Sequence, residues 1–359
     1  MRIKRASAFA LACSVVFFAP LCSALADTGG LKTFVAVDLV GEAFVRSKVV
    51  SPREVEVRGV EVFFLAPVDP LFDAAVGIAA HPENGVSLFE LHEATLSSSK
   101  LIPHTQLRMG KGFLYIGKLN RIHQHDWPFI DSPEVQRSFF DDEGVNDLLL
   151  EVTVNTPTSM PFEATAGVAK GWVYGHAHNE GKRPQVPTHY SRVQTFFDLP
   201  LGGALQVAGN YLGRTASDSV QTQLFGVDLT AKWREGRRVP LLLQGEVWLR
   251  RVKAPQVDRE DALGMYLFPQ MNLLDSLDFG IRFDQFSVLT TEDALGESID
   301  ISSYRIVPTL TYKPSEFSTF RIAYAWDLKR RGDATPNVTN SSLLAQMTYV
   351  IGAHPSHEF

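Results

Sequence analysis

Two pairs of histidines, each pair separated by one residue, are the side chains in this sequence best suited to bind a metal. His123 and His125 are followed directly by Asp126, and His176 and His178 lie in a second polar stretch. Imidazole and carboxylate groups are ligands that zinc and copper take in proteins. The two pairs could form one site if the fold brings their segments to the same end of the molecule. A second interpretation stays open, in which these histidines donate hydrogen bonds that hold a loop in place.

The first histidine pair belongs to the longest stretch without alternating apolar residues, at positions 118–144. A long irregular segment in an otherwise regular domain is usually functional or disordered. Trp127, Phe129 and Phe139 argue against disorder, because aromatic side chains have a large apolar area to bury. We expect these three residues to anchor a folded loop.

Charged residues indicate what such a loop could do. If the loop folds into a pore, its acids would face arginines on the opposite wall, and the field between them would sort solutes by charge. The alternative is that the acids face outer solvent and each arginine pairs with a wall carboxylate such as Glu246, Asp278 or Asp284. The predicted constriction consists of Asp126, Asp131, Glu134, Asp141, Asp142 and Glu143 in the loop and Arg250, Arg282, Arg305 and Arg321 in the wall.

The segments that must position these residues alternate apolar and polar side chains with a period of two, which is typical of β-strands. In residues 316–328, Ile322 is expected to face lipid and Ala323 an open lumen. No segment has a convincing amphipathic helix pattern, which favours an antiparallel meander over a parallel sheet. About sixteen strands are expected, at 33–44, 55–66, 70–80, 86–98, 105–117, 145–154, 161–174, 189–199, 203–213, 220–233, 240–253, 261–270, 276–288, 302–313, 316–328 and 342–352.

The connections between these segments alternate in length. Short ones, such as 66–69 and 314–315, fall between longer ones, such as 41–54 and 175–188. Short periplasmic turns and long outer loops are typical of transmembrane barrels. A soluble β-sandwich or propeller would also alternate, but the polar faces here mix small residues with Arg and Asp, as suits a water-filled lumen. The predicted fold is an all-β, transmembrane, antiparallel up-and-down barrel of about sixteen strands, with the loop at 118–144 folded inward.

Residues 1–26 have the features of a secretory signal peptide, with a basic start, an apolar run and an Ala-Leu-Ala cleavage motif. Both cysteines, Cys13 and Cys22, lie in it, so residues 27–359 are expected to form one barrel domain without disulfides. Without the three basic residues of the signal, the 34 Lys and Arg become 31, against 40 acidic residues, a net charge of −9. This balance disfavours nucleic acid as a partner.

Two places in the chain resemble a group of proteobacterial outer-membrane proteins. They are Gly117–Asn120 with His123–Phe129, and the ending Gly352-x-His354-x-x-His357-x-Phe359. Some proteins of this group carry the label of zinc-regulated, TonB-dependent outer-membrane receptors, and more broadly the chain is similar to porins of about sixteen strands. A TonB-dependent transporter has about 22 strands and a plugged lumen. This chain is too short for both, so diffusion is favoured over energised transport.

Together these observations predict a porin-like channel of the bacterial outer membrane for passive diffusion of small hydrophilic solutes or ions. The alternative is a zinc-linked receptor or a metal-selective channel, and the third possibility is a structural or hydrolytic barrel. No enzyme is expected, since the sequence has neither a G-x-S-x-G elbow nor an H-E-x-x-H motif. No cofactor is expected unless the histidines bind zinc. Expected partners are outer-membrane lipid, the assembly machinery through the C-terminal Phe359 and, in a homo-oligomer, further copies of the chain.

Overall fold

The strands pair edge to edge and the last returns to the first, so the sheet closes into a barrel. A computed structural model describes residues 30–46, 49–52, 55–83, 86–158, 161–171, 184–236, 238–255, 257–290, 301–331 and 338–352. Within these residues the strands pair in antiparallel fashion, each with its neighbours in the chain. The predicted all-β, antiparallel, up-and-down barrel is confirmed.

Seventeen strand segments form the sixteen barrel strands of the described residues, because β2 and β3 both pair with β1 and together make one barrel strand. The segments are β1 Lys32–Arg46, β2 Val49–Pro52, β3 Glu56–Pro67, β4 Asp73–Glu83, β5 Val86–Ile102, β6 Thr105–Phe113, β7 Asn146–Asn155, β8 Phe162–Ala169, β9 Val186–Leu199, β10 Gly203–Thr215, β11 Gln221–Glu235, β12 Arg238–Ala254, β13 Val257–Leu274, β14 Leu277–Thr290, β15 Ile301–Ser315, β16 Ser318–Arg331 and β17 Val338–Gly352. Each predicted span corresponds to one of these barrel strands. At β6 the strand ends at Phe113 instead of residue 117, so the segment that follows is longer than predicted.

Closure depends on the pairing of β1 with β17, from Phe34 opposite Gly352 to Phe44 opposite Ser342. In lipid every backbone N–H and C=O has to be paired within the protein, since no water replaces a missing hydrogen bond. A closed antiparallel sheet meets this requirement and leaves no strand edge.

The two faces of the wall differ in polarity. On β7, Leu148 and Leu150 are 56% and 51% exposed, whereas the next residue, Glu151, is 4% exposed and faces inward. On β16, Ile322 points outward, as predicted, with 59% of its surface exposed, and Trp326 on the same face is 55% exposed. An apolar outer band around a polar interior is the arrangement of barrels that cross the outer membrane. The predicted location in the bacterial outer membrane is therefore confirmed.

The connections differ between the two ends of the barrel. At one end they are short, as at 68–72 between β3 and β4 and at 316–317 between β15 and β16. At the other end residues 114–145 separate β6 from β7, although only 84–85 separate β4 from β5. We call these the turn end and the loop end. In outer-membrane barrels the turn end faces the periplasm.

Helix is limited to short pieces in the described residues. The helix α1 spans Glu134–Phe140, and 3-10 turns span Gln124–Asp126 and Pro200–Gly202. The sequence pattern does not predict α1, because seven residues are too few to establish a helical period. Among the described helices none is long and apolar enough to cross a membrane.

Some predictions concern residues outside the described ranges. These are the signal peptide at 1–26, the second histidine pair His176 and His178, and the C-terminal Phe359. They stay predictions.

Ala323 faces inward, but it does not line an open lumen. It is 2% exposed and belongs to a small apolar cluster with Ile130, Val307 and Leu344. The expectation of an open lumen at this position is therefore wrong. Alternation along a strand determines which face a residue lies on, but it does not determine what covers that face.

Arginine at Ile322 and at Ala323 should destabilise the barrel for different reasons. Ile322→Arg places a charge in lipid and should cost about 2–4 kcal/mol near the bilayer midplane. Ala323→Arg overfills the contact with Ile130 and should cost at least about 1–3 kcal/mol. Deleting residues 123–140 removes Ile130, so it should abolish the cost of Ala323→Arg and leave the cost of Ile322→Arg unchanged. A denaturant titration of the refolded barrels in vesicles measures both, with Ile322→Leu as the control. If the deletion reduces the destabilisation by Ile322→Arg and by Ala323→Arg equally, the assigned faces are wrong.

Candidate functional site

Residues 114–145 leave the wall after β6 and run inside the barrel; we call them the inner loop. Its first part lies against β10 and β12. The N–H of Gly117 donates to Asn210 Oδ1 over 2.9 Å, and the N–H of Leu119 donates to Glu246 Oε1 over 2.9 Å. Gly117 has a φ of +61°, and a Cβ there would lie 2.5 Å from Glu246 Oε2. Glycine is therefore required for this close approach.

A buried ion pair of the wall supports the same part of the inner loop. The side chains of Arg192 on β9 and Asp228 on β11 are almost completely buried. Arg192 Nη1 lies 2.5 Å from Asp228 Oδ2. Arg192 also donates to the carbonyl of Gly117 over 3.1 Å. Each charge is compensated by the other and by hydrogen bonds, which is the condition under which a buried pair is tolerated.

Aromatic side chains hold the middle of the inner loop. The three predicted anchors Trp127, Phe129 and Phe139 are 0%, 0% and 1% exposed. The ring of Phe129 lies 5.6 Å from that of Tyr266, and the ring of Phe139 lies 5.6 Å from that of Phe286. Burial of each such side chain contributes about 1.5–3 kcal/mol. The wall thus provides an aromatic surface inside the barrel, which the loop covers.

Arg282 and Arg305 of the predicted constriction form ion pairs with Asp131 of the inner loop. Asp131 lies 3.1 Å from Arg282 Nη2 and 2.6 Å from Arg305 Nη2. Burial opposes ionisation of Asp131, but the charges of Arg282 and Arg305 outweigh it and lower its pKa. Arg282 also pairs with the wall carboxylate Asp284 at 2.9 Å. Arg282 therefore pairs both with an acid of the inner loop and with a wall carboxylate, so it combines the two arrangements that the sequence left open.

The other predicted constriction residues lie around the inner loop in separate contacts. Arg250 pairs with Glu260 at 2.6 Å and donates to the carbonyl of Ser138 in the inner loop over 3.1 Å. Arg321 donates to Gln346 over 2.7 Å. The remaining loop acids are Asp126 beside His125, Glu134 paired with Arg137, Asp141 and Asp142 after α1, and Glu143 near His81 and His92. A single constriction formed by all of them stays a prediction.

Two cavities lie beside the inner loop, toward opposite ends of the barrel. The first, of about 410 Å³, is lined by α1 and by the loop-end halves of β14–β17. The second, of about 310 Å³, is lined by residues 121–123 of the inner loop and by β5–β8, down to Gln106 and Glu163 near the turn end. Each is lined by charges of both signs. Polar space is therefore available on two sides of the loop.

Four histidines form a row between the inner loop and the wall at β3–β5. The distances between ring centroids are 4.9 Å for His81 and His92, 6.2 Å for His92 and His123, and 5.7 Å for His123 and His125. We define the histidine cluster as His81, His92, His123 and His125 with Glu61 and Glu143. The predicted pair His123 and His125 is thus brought together with residues of the wall.

Glu61 of β3 links the two loop histidines to the wall. Its Oε2 lies 2.9 Å from His123 Nδ1, and its Oε1 lies 3.2 Å from His125 Nδ1. Burial opposes protonation of both rings, but Glu61 outweighs it and raises the pKa of His123. At His125, Glu61 and Asp126 together outweigh burial and raise the pKa to about 10. His125 is therefore a cation at neutral pH, and it holds the loop to the wall by an ion pair.

Sequence reasoning missed the wall residues of the cluster, and a β-bulge explains His92. Gly77 pairs with Glu93 and Ile78 with Leu91, so His92 is the extra residue on β5. A bulge shifts the alternation by one residue. His92 is 2% exposed, and Glu93 lines the cavity toward the turn end, so both face inward. Two consecutive polar residues in an alternating strand are the signal that could have revealed this position.

Comparisons with known proteins give the fold. No protein-family model matches the chain. It is 27% identical over 343 residues to an uncharacterized protein of Aquifex aeolicus (strain VF5), covering 83% of this chain and 69% of the relative. The anion-selective porin from Comamonas acidovorans superposes with a TM-score of 0.61 at 10% identity, over 89% of this chain and 99% of that one. The fold is that of the porins.

Two further solved structures agree with this. The outer membrane channel DcaP of Acinetobacter baumannii has a TM-score of 0.60 at 7% identity, covering 89% of this chain and 97% of that one. A trimer form of OmpT, an outer membrane protein of Vibrio cholerae, has a TM-score of 0.58 at 9% identity, covering 90% and 100%. At sequence identities this low, the similarity shows a common fold.

Asp131→Asn should loosen the inner loop at Arg282 and Arg305. The loss of hydrogen bonds to a charged group should cost about 1.5–3 kcal/mol of loop docking. The matched change Glu134→Gln removes a pair with Arg137 on the more exposed face of α1 and should cost less than about 1 kcal/mol. Limited proteolysis of the folded barrel measures cleavage within 114–145. Equal cleavage rates in the two variants would contradict the role of Asp131.

Low pH should loosen the inner loop in the same way as Asp131→Asn. The pKa of Asp131 is lowered from its ordinary value of 3.8, so its ion pairs contribute fully above that pH and are lost as the pH falls through the lower value in the folded chain. Cleavage of the wild type by an acid-active protease should therefore approach that of D131N at the lowest pH. If the cleavage rates of the wild type and D131N differ by the same factor at neutral pH and at the lowest pH, the lowered pKa of Asp131 is contradicted.

Proposed function

We propose that the chain is a porin-like channel for passive diffusion of small hydrophilic solutes or ions, in which the inner loop sets the size and charge preference of the passage. The observation that carries this proposal is an ordered polar and aromatic loop held inside a closed barrel, with polar cavities on two sides. We expect a solute that crosses the barrel to pass the inner loop, because the loop lies between the two cavities.

The inner wall supports a wet passage. Charged and amide side chains such as Glu151, Gln194 and Asp284 point inward and are satisfied by hydrogen bonds to neighbouring polar groups. A wall of this kind suits water and polar solutes, whereas a receptor that only anchors a surface loop needs no polar interior. The names of the porin from Comamonas acidovorans and the channel from Acinetobacter baumannii agree with diffusion as the function of this fold.

The alternatives make different demands on the chain. A zinc-linked receptor or a metal-selective channel needs a metal site, for which the histidine cluster provides the residues. A structural or hydrolytic barrel needs no passage at all. We expect no enzymatic activity, and we expect the barrel to form homo-oligomers, as the trimer form of OmpT does.

Single-channel recording in a planar bilayer tests the proposal. The purified wild type should give stepwise conductance. Deletion of residues 123–140 should raise the step size and flatten the charge selectivity, because it removes the part of the chain that narrows the lumen. Heat-dependent mobility on a gel checks that the deleted barrel is folded. Steps in the deletion variant together with none in the wild type would show that the inner loop is a plug, and this would overturn the proposal.

The acids after α1 should make the passage prefer cations. Changing Asp141 and Asp142 to Asn should shift the reversal potential toward anion preference, most clearly at low salt, where screening is weak. Glu235→Gln and Glu316→Gln, which remove two exposed acids near the turn end, are the matched control. An equal shift in the control would assign the selectivity to the overall charge and not to the inner loop.

A further inference from the structure

Three side chains of the histidine cluster converge on a common point. His81 comes from β4, His92 from the bulge of β5 and Glu143 from the inner loop just after α1. The two imidazole Nε2 atoms are 3.0 Å apart, and His92 Nε2 lies 3.6 Å from Glu143 Oε2. One ligand atom from each of the three residues lies within 4.8 Å of the other two.

The 3.0 and 3.6 Å spacings are close to the edge of a zinc coordination tetrahedron. Zinc binds imidazole nitrogen at about 2.0–2.1 Å and carboxylate oxygen at about 2.0–2.2 Å, and in a tetrahedron two such ligand atoms lie roughly 3.3 Å apart. The observed separations of 3.0 and 3.6 Å lie on either side of that value. Glu90 Oε2 lies 3.8 Å from the same nitrogen, His92 Nε2.

The hydrogen bonds of His81 orient its ring for a metal. Its Nδ1 lies 3.2 Å from the carbonyl oxygen of Arg58, which can only accept, and 3.6 Å from the second carboxylate oxygen of Glu143, Oε1. Nδ1 is therefore the donor, and in the neutral ring Nε2 carries the lone pair that faces the common point. A ligating histidine whose second nitrogen donates to a backbone carbonyl is the usual arrangement around protein metals.

His92 has a corresponding partner on its other side. Its Nδ1 faces Glu61 Oε2 at 3.9 Å, and Glu61 is held in place by His123 and His125. A carboxylate behind a ligating histidine stabilises its orientation and raises its basicity. The loop histidines would then support the ligands from the outer shell. This differs from the sequence prediction, which made His123 and His125 the ligands themselves.

We propose that His81, His92 and Glu143 bind a divalent transition-metal ion of the zinc class. Two imidazoles and a carboxylate suit zinc and its neighbours better than calcium or magnesium, which prefer oxygen ligands only. Because Glu143 belongs to the inner loop and both histidines to the wall, the ion joins the loop to β4 and β5. The site thus fixes the segment that follows α1.

The position of the site gives an ion a short route from the loop end. His81 is two residues from the end of β4, which corresponds to roughly 7 Å along the strand. The connection from β4 to β5 is only 84–85. His81 and Glu143 keep 16% and 18% of their side-chain surface exposed, whereas His92 keeps 3%.

Calorimetric titration of the folded full chain with zinc chloride, after treatment with a chelator, tests the site. The wild type should bind close to one ion per chain. His81→Ala and His92→Ala should each weaken binding by at least about 100-fold, since loss of outer-shell support alone costs about 10–100-fold. Glu61→Gln should fall within that smaller range and keep the stoichiometry. His104→Asn and Glu235→Gln, which are exposed near the turn end, should leave binding unchanged.

A second measurement separates a ligand from a residue that only supports the fold. The described residues contain no cysteine, and the sequence has its two at Cys13 and Cys22, so a new thiol is easily followed. His92→Cys should retain cobalt binding and add a thiolate-to-cobalt charge-transfer absorption, because a thiolate is also a ligand for metals of this class. Retained binding without this absorption would show that residue 92 is not a ligand.

Two outcomes would overturn the proposal. One is a wild type that binds no zinc, which would leave the histidine cluster as a hydrogen-bonded link between loop and wall. The other is binding that survives His81→Ala and His92→Ala but is lost when His176 and His178 are changed together. The titration does not depend on conductance, so failure of the metal site and failure of the proposed channel are distinguishable.

Discussion

Backbone pairing in lipid is the constraint from which the rest of this structure follows. Strands that span a membrane cannot leave an N–H or C=O without a partner, so β1 must meet β17 and the sheet must close. Closure divides the side chains into two sets, since successive residues of a strand point to opposite faces. The outer set is apolar, and the inner set combines polar residues with the aromatic residues that the inner loop covers. The described candidate residues lie where this enclosed wall meets the inner loop.

The interior combines two kinds of contact that are usually found apart. One is an aromatic core in which Phe129 and Phe139 pack against wall residues, as in a soluble domain. The other is a set of buried charges, among them Arg282 with Asp284 and Arg192 with Asp228. Both pairs join wall residues, and their arginines also reach the inner loop, because Arg192 donates to the carbonyl of Gly117 and Arg282 pairs with Asp131. The inner loop therefore has the ordered character of a domain core, although it belongs to a connection.

The sequence was sufficient for the wall and insufficient for the interior. Alternation with a period of two identifies a segment as a strand and indicates the face on which each residue lies. The strands and the outward position of Ile322 could therefore be predicted. The aromatic anchors could be predicted as well, because large apolar side chains in a polar stretch must be buried somewhere. Contacts between distant segments leave no local pattern, so Glu61 and His81 were missed. His92 was missed because a single bulge reverses the alternation on which the prediction depends, and Ala323 was misjudged because its cover comes from the loop.

The partners of the inner loop are spread along almost the whole chain, and this has a consequence for assembly. His125 reaches Glu61, which lies 64 residues earlier, whereas Asp131 reaches Arg305, which lies 174 residues later. The wall that joins these partners is complete only when Asp38 of β1 meets Gln346 of β17, across 308 residues. The loop cannot complete its contacts before the last strands arrive, and a loop of this bulk cannot easily enter a barrel that has already closed around an empty lumen. We therefore expect insertion of the loop and closure of the wall to be coupled, and to be slow because the contacts have a very long sequence separation.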